Sequence, residues 1–556
     1  MPDQKVLRFG IICQYSKIED WKLRSIIDMQ KKRQAELSLI IKPARIESSE
    51  RKKRIMAPSV KKRFKSLQLQ DLLNEYSGIP VLDYQDDHHS NEQVRKAELD
   101  FIIDFDGLLG REFTASCKYG VWAFQQGDEQ SYSYGSSCFW EIYNDESVTA
   151  VSLYRYAEKK DEKILLKKGY FATIKDSYMK NKDHICSSVS AWPSMVCKDI
   201  LNGNAAYLNG NPAVSTSAKA FGSPTQVQWF IFYSKLIRNK IKKLVTQLFC
   251  YEYWNVGLVN QSIENLLNET QPAIKWLVEK KDLYYADPFG YEENGRLHIL
   301  MEELDHKVVN GYISKLDVNL GGDKDVTIDS SIIRLPSHMS YPYILHHKED
   351  VFCIPETSEE NEVAVYQLNK ITKKWIKAKT ILEGFPAVDA TIVKHEDRWW
   401  MFCTRGGTES QTHNCELHLF YAEHLFGEWK AHKQNPVKID IRSSRPAGTP
   451  FYQEGSLYRP AQDCSETYGG RIVLNKIITL TTTQFIEEPA SHVQPEKNSL
   501  YPDGVHTLSS LNSQWTLIDG KRFDYSIFHL FKKLHKFKPV KRLEIEKHSD
   551  KHVRNV

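Results

Sequence analysis

Four acidic residues stand next to short strand-like runs in the C-terminal half of the 556-residue sequence. Asp287 in the segment ADPF and Asp389 in the segment VDAT each open a short aromatic or β-branched run. Glu356 ends such a run, and Asp503 precedes another. Two carboxyl groups on either side of a bond can protonate the leaving oxygen and activate water, or one can attack as a nucleophile. These four residues are therefore the predicted catalytic set.

Other polar side chains near these runs form a predicted binding set. Guanidinium, imidazole and amide groups can donate hydrogen bonds to sugar hydroxyls or to a phosphate. The predicted substrate-binding residues are Arg405, Arg445, Arg459, Gln462, Asp463, His338 and His506. The histidines and acidic residues show no compact ligand spacing along the sequence, so no metal site is predicted.

The elements that must position these residues repeat along the chain after about residue 250. Each unit has a turn, a strand, a second turn with a charged or glycine tip, and an aromatic strand. The units lie at 284–303, 340–356, 387–404, 445–463 and, in part, 501–521. Their spacing of roughly 50 residues fits one four-stranded blade each, so the repeat predicts an all-β five-bladed propeller. A single acidic turn is typical of a strand-end cap, whereas five units in register favour one shared polar pocket.

Several segments of this half resemble known five-bladed propellers. The segments are ADPF (286–289), SYPYI (340–344), DATIV (389–393) and RPAQDCSETYGG (459–470). They resemble the propellers of retaining and inverting glycosidases, and look closest to the propeller domain of glucosamine inositolphosphorylceramide transferases. The resemblance implies that the innermost strand of each blade turns acidic residues toward a central pocket that acts on sugar. Tyr341 stands where such enzymes commonly carry an acid.

The first half of the chain has a different pattern. Apolar runs at 5–13, 36–41 and 98–106 alternate with helix-like stretches, which is typical of βαβ units in an α/β domain. Further segments resemble the formyltransferase family, which includes methionyl-tRNA formyltransferase and the sugar N-formyltransferases. Those segments are RKKRIMAPSVKK (51–62), DFIIDFDGLLG (100–110) and KYGVWAF (118–124). The resemblance implies a Rossmann-type fold, with 10-formyltetrahydrofolate as the cofactor only if the site is active.

The catalytic positions that this resemblance implies are altered. The family's Asn and His positions fall at Ala123 and Gln125, and its Asp position is best matched by Asp161. Formyl transfer needs a group that takes a proton from the attacking amine, and a glutamine cannot do so near neutral pH. Asp128 could supply a different base, although its place after Gly127 is more typical of a turn residue. The predicted formyltransferase-like site is therefore Gln125, Asp128 and Asp161, in a degenerate domain.

The change of pattern divides the chain into four parts. Within the second part, 227–248 has the apolar periodicity of an amphipathic helix with basic residues on its other faces. That pattern favours a helix packed between the domains, with contact to an anionic membrane surface as the alternative. The predicted parts are a formyltransferase-like α/β domain (1–205), a linker with an amphipathic helix (206–255), the propeller (256–530) and a basic C-terminal tail (531–556).

The amino-acid composition limits the classes of partner and the cellular compartment that we expect for this protein. The chain has 75 Lys and Arg against 71 Asp and Glu, a net charge of +4, which argues against nucleic acid as a partner. The 10 cysteines include no C-x-x-C pair, and the N-terminal residues have no hydrophobic signal core. A reducing, cytoplasmic location is therefore expected.

Both halves of the sequence point to carbohydrate. The predicted function is that of a carbohydrate-active transferase in surface-glycan or glycolipid biosynthesis. It would transfer a group on an activated or amino sugar, with a sugar or nucleotide sugar as substrate. The alternative is a non-catalytic carbohydrate-binding or scaffold protein built from decayed enzyme folds. The identity of the sugar, the donor and the oligomeric state stay open.

Overall fold

The computed structural model describes most of the chain. The described residues are 5–43, 64–85, 87–109, 112–127, 138–157, 162–210, 213–214, 224–268, 273–277, 279, 283–305, 310–319, 327–407 and 413–536. Asp128 and Asp161 of the predicted formyltransferase-like site lie outside them, as do the basic segment 51–62 and the tail beyond residue 536.

The N-terminal region is an α/β domain built around an eight-stranded sheet. Its strands are β1 (Leu7–Ile12), β2 (Lys17–Glu19), β3 (Ala35–Pro43), β4 (Leu69–Asp71), β5 (Val81–Tyr84), β6 (Phe101–Asp104), β7 (Val121–Gln126), β8 (Val148–Tyr156), β9 (Glu162–Ala172) and β10 (Ala213–Val214). The sheet order is β10-β9-β8-β7-β6-β1-β3-β5, and β2 pairs with β4 apart from it. Pairing is parallel from β5 through β7 and antiparallel from β7 through β10. Most residues of the parallel strands are apolar and buried because helices cover the sheet, while Arg8, Glu36 and Asp83 are exposed.

The helices of this domain cover the sheet and contribute to its core. They are α1 (Asp20–Lys31), α2 (Leu72–Glu75), α3 (His88–Lys96), α4 (Phe139–Tyr143), α5 (Tyr178–Val189) and α6 (Trp192–Leu201). Trp21, Ile26 and Met29 recur at helical spacing on one side of α1 and are buried in the same cluster as Phe9 of β1. The side chain of Ser177 caps the N-terminus of α5.

The second region consists of short antiparallel strands. They are β11 (Cys250–Val259), β12 (Ile274–Trp276), β13 (Leu283–Glu293), β14 (Arg296–Asp305), β15 (Gly311–Asn319), β16 (Thr327–Ile333), β17 (Ser340–His347), β18 (Asp350–Glu356), β19 (Glu362–Leu368), β20 (Trp375–Glu383), β21 (Ala387–His395), β22 (Arg398–Arg405), β23 (Glu416–Ala422), β24 (Lys430–Ala431), β25 (Lys438–Ile439), β26 (Phe451–Gln453), β27 (Ser456–Asp463), β28 (Arg471–Leu480), β29 (Phe485–Val493), β30 (Leu508–Ser510) and β31 (Thr516–Tyr525).

These strands form the five blades of a propeller. Blades 1 to 4 are the consecutive sheets β13–β16, β17–β20, β21–β24 and β26–β29, with β25 added beside β23 in blade 3. Blade 5 has the order β12-β11-β31-β30, so it combines the first two strands of the region with the last two. The α/β region followed by a five-bladed propeller confirms the predicted fold class.

The two domains share a continuous hydrophobic core. Ile439, Ile441 and Cys464 of the propeller belong to the same buried cluster as the N-terminal strands. The carbonyl of Tyr170 in β9 accepts a hydrogen bond from the Ile441 N–H at 2.9 Å. The Arg442 guanidinium lies 3.9 Å from the centre of the Tyr170 ring. The α/β domain therefore packs directly on the propeller.

A long helix, α7 (Gln226–Phe249), connects the domains. Its buried side holds Phe232, which stacks on Phe139 of the α/β domain at 4.5 Å between ring centres. The opposite side carries the apolar periodicity, and both Phe230 and Ile237 are exposed there. The expectation that this apolar face packs between the domains is therefore wrong, because other residues anchor the helix. Among the described residues, none of the helices has the length and apolar character that crossing a bilayer requires.

Candidate active site

Three inner strands of the propeller carry the same distortion at the same place. In β13, β17 and β21, two residues oppose one residue of the next strand, which is the geometry of a β-bulge. The first residue of each bulge has a positive φ, at 51° for Asp287, 46° for Tyr341 and 54° for Asp389. For a residue other than glycine this conformation costs about 1–2 kcal/mol. The surrounding contacts must therefore hold all three bulges in place.

Those contacts come from neighbouring blades. The Tyr341 hydroxyl accepts a hydrogen bond from the Gly448 N–H at 2.7 Å and lies 2.8 Å from the Thr391 hydroxyl. Asp287 accepts hydrogen bonds from the Tyr341 N–H at 3.3 Å and from the Thr507 hydroxyl at 2.5 Å. Residues from every blade or the segment leading into it thus meet where the blades converge.

Asp287 lies beside a buried histidine–aspartate pair. Nε2 of His506 is 3.6 Å from the Asp287 carboxylate, and Nδ1 is 2.5 Å from Asp519. Burial raises the pKa of Asp287, and the negative charges of Asp389 and Asp519 raise it further, while His506 opposes them. Burial works against protonation of His506, but Asp519 and Asp287 outweigh it and raise the pKa of the imidazole. The structure therefore brings Asp287 and His506 together, as two of the predicted site residues.

Asp389 is held by two further predicted residues. Nε of Arg445 lies 2.6 Å from its carboxylate, and Nε2 of Gln462 donates to the same oxygen at 3.2 Å. Burial raises the pKa of Asp389 to about 7, although the Arg445 guanidinium acts to lower it. The negative charge of Glu356 raises it as well. Asp389, Arg445, Gln462 and Glu356 therefore belong to one cluster.

A fourth carboxyl group, Glu302, completes the pocket. In the β13–β14 register it lies directly opposite Ala286, next to the first bulge, and it is buried. Burial raises the pKa of Glu302 well above its ordinary value, and the carboxylates of Asp287, Glu356 and Asp389 raise it further. Glu302 therefore holds its proton more tightly than an ordinary carboxyl group does.

Glu302 and Glu356 occupy equivalent positions in successive blades. Glu356 lies opposite Ser340 just as Glu302 lies opposite Ala286. Sequence analysis found Glu356 but missed Glu302, although matching the two repeats would have found both. His338, another predicted residue, places Nε2 3.6 Å from Glu302, while its Nδ1 accepts a hydrogen bond from a backbone N–H. That hydrogen bond leaves the proton of a neutral His338 on Nε2, facing Glu302.

This arrangement suits proton transfer. Several buried carboxyl groups in one pocket cannot all be ionised, so one of them retains a proton that an ordinary carboxyl group would have lost. A protonated carboxyl group and an ionised one in the same pocket form the donor and acceptor that general acid–base catalysis requires. Arg445 adds a positive charge that can bind an anionic substrate group.

The remaining predicted residues have local structural partners. Asp503 accepts a hydrogen bond from the Phe523 N–H at 2.7 Å. Asp463 pairs with Arg471, with 2.8 Å between the carboxylate and Nε. Arg459 is fully buried against Glu487, with 2.6 Å between the charged atoms. Arg405 is exposed at the end of β22, with its guanidinium 5.9 Å from the centre of the Phe385 ring. The structure does not bring these four side chains into contact with the bulged residues.

Aromatic side chains that the sequence did not single out line the pocket. The Arg445 guanidinium lies 5.1 Å from the centre of the Tyr468 ring, and Tyr468 is 36% exposed. The Trp254 ring stacks on His506 at 4.0 Å between ring centres. Tyr468 thus joins the buried charges to the solvent-exposed rim. Tyr468 lies within segment 459–470, which resembles known propellers, but nothing in the sequence indicated that this tyrosine lies beside Arg445.

The structure also brings together three side chains with the chemistry of cation ligands. One atom each of Asp287, His506 and Asp519 lies within 4.8 Å of the others, and all three residues are buried. Sequence spacing could not indicate this group because its members come from β13, β31 and the segment before β30. Within the group, Nδ1 of His506 lies 2.5 Å from Asp519, and Asp287 accepts a hydrogen bond from the Thr507 hydroxyl.

Of the predicted N-terminal site, the structure describes Gln125. Gln125 is buried in β7, and its amide oxygen accepts a hydrogen bond from Lys163 Nζ at 2.8 Å. Ala123 lies opposite Asp104 in the parallel β6–β7 register. Burial raises the pKa of Asp104, whose carboxylate accepts a hydrogen bond from the Leu109 N–H at 2.9 Å. The position that the resemblance assigns to a proton acceptor is thus occupied by an amide bonded to a lysine.

The propeller half of the chain is similar to a known protein family. Residues 278–510 match the family described as Glucosamine inositolphosphorylceramide transferase 1, N-terminal. The glucosamine inositolphosphorylceramide transferase 1 of Oryza sativa subsp. japonica is 33% identical over 215 residues, which are 37% of this chain and 28% of that protein. The chain therefore spans well under half the length of this relative. The predicted resemblance of the propeller half to these transferases is confirmed.

Solved structures give more distant matches. The glycinamide ribonucleotide transformylase 1 of Symbiobacterium toebii matches with 10% identity and a TM-score of 0.27, over 36% of this chain and 89% of its own. A family 117 glycoside hydrolase produced by Zobellia galactanivorans matches with 13% identity and a TM-score of 0.31, over 51% of this chain and 92% of its own. The formyltransferase family of the N-terminal half stays a prediction.

Proposed function

We propose that the propeller is the catalytic domain of a carbohydrate-active transferase that acts on a glycolipid. The observation that carries the proposal is the buried cluster of Asp287, Glu302, Glu356 and Asp389 around a single guanidinium, that of Arg445. An isolated buried carboxylate is costly, so a group of them without matching cations suits chemistry better than stability.

Two of the carboxyl groups supply the acid and the base in this proposal. Glu302, whose pKa burial raises well above its ordinary value, donates its proton to the leaving oxygen as the bond between the sugar and that oxygen breaks. Asp287, which lies next to it and beside the positively charged side of His506, takes a proton from the acceptor hydroxyl as the new bond to the sugar forms. One proton is lost and one is gained by the protein, so a return of the proton from Asp287 to Glu302 completes the cycle.

Asp389 and Arg445 have a binding role in this proposal. Arg445 is bonded to Asp389 on one side and faces the exposed Tyr468 on the other. A guanidinium held by the Asp389 carboxylate and by the Asn414 amide oxygen is a fixed donor for a phosphate group. The name of the matched relatives includes a phosphate-bearing lipid and an amino sugar. We infer a substrate of the same chemical class, a sugar joined to an inositol phosphate lipid, with a nucleotide sugar as the donor.

The proposal is tested with the full chain and defined substrates. Purified protein is incubated with an inositolphosphorylceramide and with nucleotide sugars, and the lipid products are identified by mass spectrometry. Asp287→Asn keeps the shape and most hydrogen bonds of the carboxyl group but cannot exchange a proton, so turnover should fall by about 10²–10⁴-fold while substrate still binds. Asp503→Asn is the matched control, since its carboxylate only accepts from a backbone N–H. Full turnover by Asp287→Asn would exclude the assigned base.

A non-catalytic carbohydrate-binding or scaffold protein is the second candidate. The observation that favours it is Tyr341, which has no proton to exchange near neutral pH and occupies the bulge equivalent to those of Asp287 and Asp389. Calorimetric titration with sugars and inositol phosphates separates the two functions. Binding that is unchanged in Asp287→Asn and Asp389→Asn, with no product from any variant or from the unaltered chain, would favour the scaffold.

We also propose a cytoplasmic location. All ten cysteines lie in the described part of the chain, and each is a buried free thiol. Burial raises the pKa of Cys13 to about 11, which keeps it as the unreactive thiol. Such a set of thiols is typical of a reducing compartment. Cell fractionation should recover the protein with cytoplasmic markers, and recovery only with secretory markers would contradict this location.

A further inference from the structure

The helix α7 presents an apolar face to solvent. Phe230 is 74% exposed, Ile237 is 62% exposed and Leu244 is 54% exposed, and they recur at spacings of seven residues along one side. Val227, Tyr233 and Ile241 extend the same face. A helix in a globular protein ordinarily turns its apolar stripe toward the core. In α7 the apolar stripe faces solvent instead.

Ion pairs with the α/β domain hold α7 in this orientation. Lys235 and Arg238 both pair with Asp145 of the α/β domain, with 2.6 Å and 2.7 Å between charged atoms. Lys243 pairs with Asp176 at 3.0 Å. These contacts, together with the buried Phe232, fix the side opposite the apolar face. The apolar face is therefore held outward by specific contacts.

A second helix extends the surface. α8 (Ile527–Lys536) follows the last propeller strand and packs beside the end of α7, where Lys533 Nζ donates to the carbonyls of Gln247 and Cys250. Phe528 is 71% exposed, and Ile527 and Phe531 are exposed as well. We name the exposed apolar residues of α7 and α8 the two-helix surface.

The charged side chains within the two helices are all basic. Neither helix contains an acidic residue, and the exposed Lys240 and Lys242 flank the apolar face of α7 on its two sides. An apolar face bordered by lysines is the pattern of a helix that lies in the interface of an anionic bilayer. A second copy of the chain is a poorer occupant, because a two-fold contact would bring like charges together.

We propose that the two-helix surface docks the protein on an anionic lipid bilayer. The surface is linked to the rim of the pocket: Asn239 of α7 donates to the Lys175 carbonyl at 3.1 Å, and Lys175 Nζ lies 3.4 Å from Glu466. Glu466 is two residues from Tyr468 at that rim. Docking would therefore bring the rim near a lipid-borne substrate, and this purpose, although not the docking itself, rests on the proposed function.

The test uses the full chain and vesicle sedimentation. Vesicles of phosphatidylcholine are compared with vesicles that also contain about 30 mol% phosphatidylserine, and the unaltered chain should sediment mainly with the anionic vesicles. A variant with Phe230→Ser, Ile237→Ser and Leu244→Ser should bind at least about tenfold more weakly. Ile371→Ser with Ile376→Ser is the matched control, since these exposed residues lie on a blade edge, and it should bind as the unaltered chain does.

Charge and oligomeric state complete the experiment. Lys240→Gln with Lys242→Gln should reduce the preference for phosphatidylserine, as should raising the salt from about 0.1 M to about 0.5 M. Absence of vesicle binding by the unaltered chain would overturn the proposal. So would a dimer in light scattering that the triple serine variant alone converts to a monomer, without vesicle binding. Turnover of a soluble substrate should be unchanged in the triple variant, which separates failure of docking from failure of the proposed catalytic function.

Discussion

The predicted sites of the two domains differ in the groups that they bury. In the α/β domain, Gln125 occupies the predicted catalytic position and its amide is bonded to Lys163, so the position carries no titratable acid. In the propeller, Asp287, Glu302 and Asp389 are buried together, and burial raises the pKa of each. The predicted position in the α/β domain carries a neutral amide in a hydrogen bond, whereas the propeller cluster holds carboxyl groups whose burial destabilises the protein.

The difference indicates where to look for activity in a chain that combines two enzyme-like folds. A neutral, satisfied hydrogen bond adds to stability and can persist for that reason alone. A cluster of carboxylates with raised pKa values lowers stability, so its presence calls for a reason other than folding. The propeller is thus the region where we expect substitutions to change chemistry more than stability.

The largest expected effect is on turnover. Glu302→Gln removes the proposed proton donor while it keeps the size and shape of the side chain, so turnover should fall by about 10²–10⁴-fold. Gln125→Ala in the other domain should leave turnover unchanged. Both are measured by product formation under single-turnover conditions. Near-normal turnover in Glu302→Gln would remove the main contrast between the two domains.

The second prediction concerns the α/β domain. Without a proton acceptor at Gln125, the purified chain should transfer a formyl group from 10-formyltetrahydrofolate to an amino sugar about 10²–10⁴-fold more slowly than an intact site of this kind would. The release of tetrahydrofolate is followed by absorbance. Rapid transfer would mean that another residue serves as the base and that both domains are active.

The third prediction tests how tightly the propeller centre is built. A Cβ at Gly448, whose φ is 123°, would lie 1.7 Å from the Leu508 carbonyl oxygen, so Gly448→Ala should destabilise the protein by roughly 3 kcal/mol. Gly455→Ala is the control, because Gly455 also has a positive φ but has no atom within 4 Å of the added Cβ. Its cost should be about 1 kcal/mol. Equal losses in denaturant unfolding would show that the blades do not meet closely at Gly448.

The smallest effect is a change in the pH dependence of stability. Because the pKa of Asp389 is raised to about 7 in the folded state, the folded protein holds a proton that the unfolded chain has released between about pH 4 and pH 7. The free energy of unfolding should therefore fall as pH rises through this window. Asp389→Asn should make the fall shallower by up to about 1.4 kcal/mol per pH unit, in urea unfolding at several pH values.

The control for this pH prediction is Asp503→Asn, which should leave the slope as it is because Asp503 is bonded to a backbone N–H at the edge of the pocket region. An unchanged slope in Asp389→Asn would mean that Arg445 keeps Asp389 ionised throughout.

The periodicity of apolar residues and the spacing of the repeats predicted the fold class because both are local properties of the sequence. The alternation of strands and helices indicated the α/β domain, and the repeat indicated the blades. Asp287 and Asp389 were found because each opens a repeat unit at a matched position. Glu302 was missed because its equivalence to Glu356 shows only when the first two repeats are aligned with each other, and not in either segment alone.

The misassigned surface of α7 has a related cause. Periodicity shows that a helix has an apolar face but not which side its neighbours occupy. The attachment of α7 is decided by Asp145 and Asp176, which lie far away in sequence and pair with lysines and an arginine on the other side. Arg459 and Asp463 were selected by residue type, but Glu487 and Arg471 engage them in ion pairs.

Blade 5 joins strands from the two ends of the propeller sequence, and this has a consequence for how the protein is made. His506, Thr507 and Asp519, which surround Asp287, are contributed by a segment that is synthesised after the first four blades. During synthesis the first four blades therefore exist as an open arc in which Asp287 lacks these partners. The pocket becomes complete only when the ring closes, so a prematurely terminated chain carries most of the carboxyl groups but not the environment that tunes them.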